Sequence, residues 1–92
     1  MIARFHHKGL ERFFRDGDTR GINPQFAPKL RLLLGALNDA RRPEEMNLPG
    51  ARLHPLKGKR KGQWAVCVSG HWRLVFEFDG ESATNLDLVD YH

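Results

Sequence analysis

Apolar residues recur along the chain in two rhythms. Between Lys8 and Asp16, Leu10, Phe13 and Phe14 fall at i, i+3 and i+4, which predicts one buried helix face. Gly17 follows, suited to the left-handed position that ends such a helix. A second stripe, Phe26, Leu30, Leu33, Leu34 and Leu37, keeps the 3.6-residue period and predicts a second helix running out near Ala40. Asn23-Pro24 supplies an N-cap and a first helical residue. Pro28 leaves two readings, because inside a helix it removes a backbone bond. Either a tight turn covers residues 24–27, or the regular helix begins at Pro28.

Beyond Pro43, Pro49 and Gly50, which predict a loop over residues 41–50, the rhythm changes to that of strands. Gln63–Val68 and His71–Phe78 are rich in Trp, Val and Phe, and Ala83–Val89 predicts a last strand. Met1–Phe5 suits an edge strand. Arg52–Leu56 suits a short strand interrupted by Pro55, and Lys57–Gly62 an exposed turn. Asp79-Gly80 marks a turn, and Ser69-Gly70 suggests a two-residue hairpin pairing Cys67 with Trp72 and Ala65 with Leu74. That register puts Ala65, Cys67, Trp72, Leu74, Phe76 and Phe78 on one apolar face. The other face receives Trp64, Val66, His71, Arg73, Val75 and Glu77, and a one-residue slip reverses the assignment. The predicted architecture is α+β: a single domain over residues 1–92, with two N-terminal helices packed on one face of a small antiparallel sheet.

Charge sharpens the picture. The 92 residues carry a net charge of +4, and residues 41–61 alone hold seven basic and two acidic groups. The rest of the chain is close to neutral. One basic segment on a near-neutral body is the footprint expected for a polyanionic partner. A single cysteine, Cys67, excludes a disulfide scaffold, and its predicted place on the apolar face makes it core. The absence of an ~18-residue apolar run argues against a membrane span, and Met1–Phe14 has no signal-peptide core. The expectation is a cytoplasmic protein without membrane partners.

The chemistry-bearing residues are few. His6 and His7 are adjacent, and His54, His71 and His92 lie on separate elements, so no metal site or cofactor is expected. No phosphate loop or nucleophile elbow is present. What remains is His54 and Lys57 around Pro55-Leu56, Arg73 on the mixed face, and Asp90, Tyr91 and His92. Each also has a plain structural reading, such as an Arg73–Glu77 pair or a fraying end.

Lys8-Gly9-Leu10, Arg52-Leu53-His54-Pro55-Leu56-Lys57-Gly58, Trp72-Arg73-Leu74 and the closing Asp90-Tyr91-His92 together resemble the HigB toxins of the RelE/ParE superfamily. The resemblance spans the whole chain. It implies a RelE-like toxin fold and cleavage of mRNA on the 70S ribosome, in the A site. It also implies neutralisation by a HigA-like helix-turn-helix antitoxin. The catalytic groups it implies are His54, Lys57, Arg73, Asp90, Tyr91 and His92. Ser69 and His71, at the hairpin tip, depart from the family pattern. The chemistry agrees. Metal-free RNA cleavage needs a base, an acid and cations around the phosphate. Imidazoles serve the first two roles, Lys57 and Arg73 the third, and Tyr91 offers a ring for stacking. Asp90 is suited to act as base or to orient a histidine. Arg41, Arg42, Arg52, Lys59, Arg60 and Lys61, with His71, are expected to hold ribosomal RNA. Two alternatives compete: a ParE-like inhibitor of DNA gyrase, and a non-catalytic basic RNA-binding module. Neither has a chemical need for His54, Arg73 and His92 together.

Overall fold

The structure is a computed structural model, described here over residues 1–91. Helix α1 (Lys8–Asp16) occupies the predicted span. The His7 ring caps it, Nδ1 accepting from the Leu10 N–H at 3.0 Å, and Gly17 ends it at φ 72°. Pro28 is accommodated by a division of labour. A short 3-10 turn, Pro24–Phe26, is capped by the Asn23 side chain, and α2 (Ala27–Asp39) begins immediately after it. Pro28 therefore lies in the first turn of α2, where its missing N–H has no intrahelical acceptor to lose.

The sheet runs β1 (His54–Pro55), β2 (Trp64–Ser69), β3 (Trp72–Asp79), β4 (Ser82–Asp90) in spatial as well as chain order, all antiparallel. Its two edges are managed differently. The β1 edge is two residues long and includes Pro55, which tolerates an edge because it has no N–H to offer. The β4 edge is covered by the predicted edge strand, Met1–Phe5, reduced here to isolated parallel bridges from Ile2 to Ala83 and Phe5 to Leu86. The predicted loop over residues 41–50 contains a 3-10 turn, Pro43–Met46, that buries Met46 completely.

Leu10, Leu30, Leu33, Leu37, Leu74, Phe76 and Leu86 are fully buried between the helices and one sheet face. The predicted face of β3 is the observed one, but β2 is flipped. The hairpin turn is Gly70-His71, with Ser69 opposite Trp72, and Val68 is an extra residue between the Cys67–Arg73 and Ser69–Trp72 pairs. This bulge slips the register by one. Trp64, Val66 and Val68 face the helices, whereas Ala65 and Cys67 share the open face with Arg73 and Val75. Cys67 is half-buried beside Arg73 rather than in the core. Similarly, Gly80-Glu81 rather than Asp79-Gly80 forms the next turn, with Asp79 opposite Ser82.

Gly9 and Gly21 explain why α1 begins as it does. A Cβ on Gly9 would run into the Gly21 carbonyl, and one on Gly21 would lie 2.6 Å from the Gly9 Cα. Backbone therefore meets backbone, with nothing flexible to yield. Gly9→Ala or Gly21→Ala is expected to cost about 1–3 kcal/mol by overpacking. In a domain of this size that is a fall in Tm of roughly 5–20 °C. Thermal unfolding followed by circular dichroism checks this, and an unchanged Tm in either variant contradicts so close an approach.

Candidate active site

The sheet face turned away from the helices holds a small apolar floor of its own. Leu56, Ala65 and Val75 are buried there, with Val89 and Tyr91 packed against them. Across this floor the ladder runs His54–Ala65–Val75–Asp87, and one row along it runs Cys67–Arg73–Val89. His54 on β1, Arg73 on β3 and Tyr91 just past the end of β4 are thus brought to one surface from positions far apart in sequence. The Cα atoms of His54 and Arg73 are two strand spacings and one row apart, roughly 12 Å.

Each of these groups is anchored. The His54 ring approaches the Arg52 carbonyl, Nδ1 to O, at 2.9 Å. A carbonyl only accepts, so Nδ1 carries the proton. The Arg73 guanidinium donates through Nη1 to the carbonyls of Gly70 at 2.6 Å and Trp72 at 3.1 Å, and approaches the Cys67 sulfur at 3.5 Å. These bonds hold it at the hairpin end of the face and leave its Nε and Nη2 donors out of the arrangement. The alternative reading, an Arg73–Glu77 pair, does not form: Glu77 accepts instead from Gln63 and Asn85. Tyr91 follows the end of β4, and its N–H donates to the His71 carbonyl at 2.7 Å, which ties the chain end to the hairpin tip.

The remaining predicted residues lie at different places. Lys57 is exposed and follows Leu56 at the rim of the floor. Asp90 pairs with Trp72, so the register gives it the helix-side face, opposite to Arg73 and Tyr91. His71 is exposed at the hairpin tip. His92 lies outside the described residues. Arg41, Arg42, Arg52, Lys59 and Lys61 are exposed, as expected of polyanion contacts. Arg60 is not: it is half-buried, with Nη1 donating to Gln63 at 3.1 Å. The Arg41 N–H donates to the Glu45 carboxylate at 2.6 Å. That bond, and next the charge of Arg42, hold Glu45 below the usual carboxylate range. The basic segment is therefore partly self-neutralised at its start, and its unopposed charge lies nearer Lys57–Lys61.

At the other end of the open face is a cleft of about 380 Å³ lined by His6, Arg60, Gln63, Glu77, Asn85 and Asp87. The acidic groups Glu77 and Asp87 disfavour phosphate there, whereas Arg73 favours it at the hairpin end; Lys57, following Leu56 whose N–H donates to the Gln63 carbonyl, stands on the cleft side of the floor. Among the described residues no group of three His, Cys, Asp or Glu side chains gathers as a metal site. Nor is any helix long and apolar enough to cross a membrane. Sequence reasoning missed the apolar floor. Its signal was present in Val89 and Tyr91, spaced i and i+2, and in the apolar residues on both faces of β2.

Comparison with known proteins places this arrangement in context. A family model described as the RelE-like toxin of the type II toxin–antitoxin system HigB matches residues 3–92. An Endoribonuclease HigB of Proteus vulgaris is 39% identical over 92 residues, covering the whole of both chains.

Proposed function

The chain belongs to the HigB-like toxins of type II toxin–antitoxin systems, endoribonucleases countered by an antitoxin, and from that premise we propose that it cleaves mRNA on the translating ribosome by attack of a ribose 2′-hydroxyl on the adjacent phosphate. The observation that carries this reading is the meeting of an anchored His54, Arg73 and Tyr91 over an apolar floor on the solvent side of the sheet.

The steps follow from that placement. His54 and His92 share the proton transfers: one takes the 2′-hydroxyl proton, the other gives a proton to the departing 5′-oxygen. The new P–O2′ bond forms as the P–O5′ bond breaks, leaving a 2′,3′-cyclic phosphate and a 5′-hydroxyl. Arg73 and Lys57 stabilise the charge that builds on the phosphate. The Tyr91 ring stacks on a base, and the floor beneath it excludes water from the reacting groups. Asp90, at the end of β4, acts on the neighbouring chain end, orienting His92 rather than touching RNA from the Arg73 side. Arg41, Arg42, Arg52, Lys59 and Lys61 hold ribosomal RNA, with His71 at the tip. Arg60, half-buried and bonded to Gln63 beside the acidic cleft, is left out of that RNA-holding set. The antitoxin is HigA-like, with a helix-turn-helix domain, and the toxin works in the cytoplasm. A gyrase poison has no use for this proton-transfer set.

The basic excess is modest, so free mRNA is held weakly. The ribosome supplies affinity and presents mRNA in a bent, attack-ready form. Naked mRNA is therefore expected to be cleaved negligibly and ribosome-bound mRNA efficiently, in parallel assays at equal enzyme. Equal rates with and without ribosomes contradict the ribosome's part in this reading.

A further inference from the structure

The edge of the sheet carries an irregularity beside His54. The Cys67 N–H donates to the Ala51 carbonyl at 2.7 Å, and the next pair along is His54 with Ala65. The edge segment thus advances three residues while β2 steps through two, which makes a bulge. Arg52 stands within it at φ 55°. The described residues contain one other non-glycine at positive φ, Asn85, also at 55°, where β4 bulges between the Val75–Asp87 and Glu77–Thr84 pairs. Asn tolerates the left-handed region because its short amide bonds locally, whereas Arg has no such compensation. A disfavoured conformation at one residue, held beside a functional group, points to a use for that conformation.

Its use is visible in the carbonyl. The Arg52 oxygen accepts from His54 Nδ1 at 2.9 Å. This fixes the ring's rotation and puts the neutral ring's lone pair on Nε2, the atom that takes a proton. We propose that Arg52 is a positioning residue: its left-handed backbone, not its guanidinium, sets the orientation and tautomer of His54 as proton acceptor. The inference rests on the reading of His54 as a catalytic group, and it divides the two histidine roles that reading left shared.

The experiment separates backbone from charge. Arg52→Asn, Arg52→Gly and Arg52→Val all remove the guanidinium, but only Asn and Gly suit positive φ. Long-range ¹H–¹⁵N correlation spectra of the full chain read the His54 tautomer directly. Single-turnover cleavage of mRNA on saturating ribosomes reads its consequence. Wild type, Asn and Gly are expected to show the proton on Nδ1. Val is expected to shift it toward Nε2 and to cleave at least about tenfold more slowly than Asn, since small misplacements of reacting groups are costly. Should Val fail to fold, Arg52→Ala against Arg52→Gly gives the same contrast. An unchanged tautomer and equal rates in Val and Asn, or in Ala and Gly, overturn the proposal. His54→Ala serves as the control for the underlying reading: if it cleaves like wild type, the assignment of His54 fails, while the tautomer measurement still reports on Arg52.

Discussion

Replacing Arg73 by Ala is expected to lower single-turnover cleavage of ribosome-bound mRNA by about 10²-fold or more, with ribosome affinity close to wild type. The magnitude is that of losing one preorganised donor aimed at charge that develops in the transition state. The structure gives Arg73 the preorganisation this requires. It is half-buried on β3, and one nitrogen is committed to the Gly70 and Trp72 carbonyls. The rest of the fork is set for a phosphate with little further ordering. Lys59 and Lys61 are exposed on the rim and make the natural contrast. Neutralising them together should weaken ribosome pelleting and flatten its salt dependence, while cleavage of mRNA already bound is little changed. Arg73→Ala also releases the hairpin carbonyls, so Tm must be measured beside the rate. Arg73→Lys keeps the charge but loses the fork, and is expected to fall between wild type and Ala. If Arg73→Ala cleaves at the wild-type rate once bound, Arg73 is only a clamp on the hairpin.

Much of this architecture was legible in the order of the residues. The helix faces were, because Leu10 and Phe13, and then Leu30, Leu33, Leu34 and Leu37, recur at the helical period. The Pro28 ambiguity was resolved by a 3-10 turn leading directly into α2, an outcome lying between the two readings that spacing allowed. The strands were legible as well, but the facing of β2 was not. Trp64, Val66 and Val68 alternate with Ala65 and Cys67, so both faces of β2 are apolar and the alternation does not choose between them. The deciding feature was the bulge at Val68, because moving the turn from Ser69-Gly70 to Gly70-His71 shifts the register by two and leaves the faces as they were. Gly70 adopts φ 55° as the first turn residue, and Val68 bulges. Nothing local distinguished that from Ser69-Gly70. For the site, residue types were legible and placement was not. Arg73 fell on the expected face because β3 was read correctly. Asp90 fell opposite Trp72 because its parity follows from the bulges in the sheet. The anchoring of His54 by Arg52 depends on a left-handed arginine, which no propensity would suggest.

All the roles assigned to the open face depend on one chemical claim: the attacking group is the 2′-hydroxyl of the substrate itself. On the proposed mechanism the histidines move its proton, and Arg73 and Lys57 meet the charge it creates. An mRNA with a single 2′-deoxynucleotide on the 5′ side of the scissile phosphate lacks that nucleophile and is otherwise nearly unchanged, so ribosome binding should persist. Single-turnover assay of this substrate beside its all-ribose twin, with mass analysis of the product ends, is the most direct measurement. The account predicts no cleavage at the substituted position, and a 2′,3′-cyclic phosphate, or the 3′-phosphate it hydrolyses to, with a 5′-hydroxyl from the all-ribose mRNA. Cleavage of the deoxy-substituted mRNA at an undiminished rate, or a product bearing a 5′-phosphate, would contradict it.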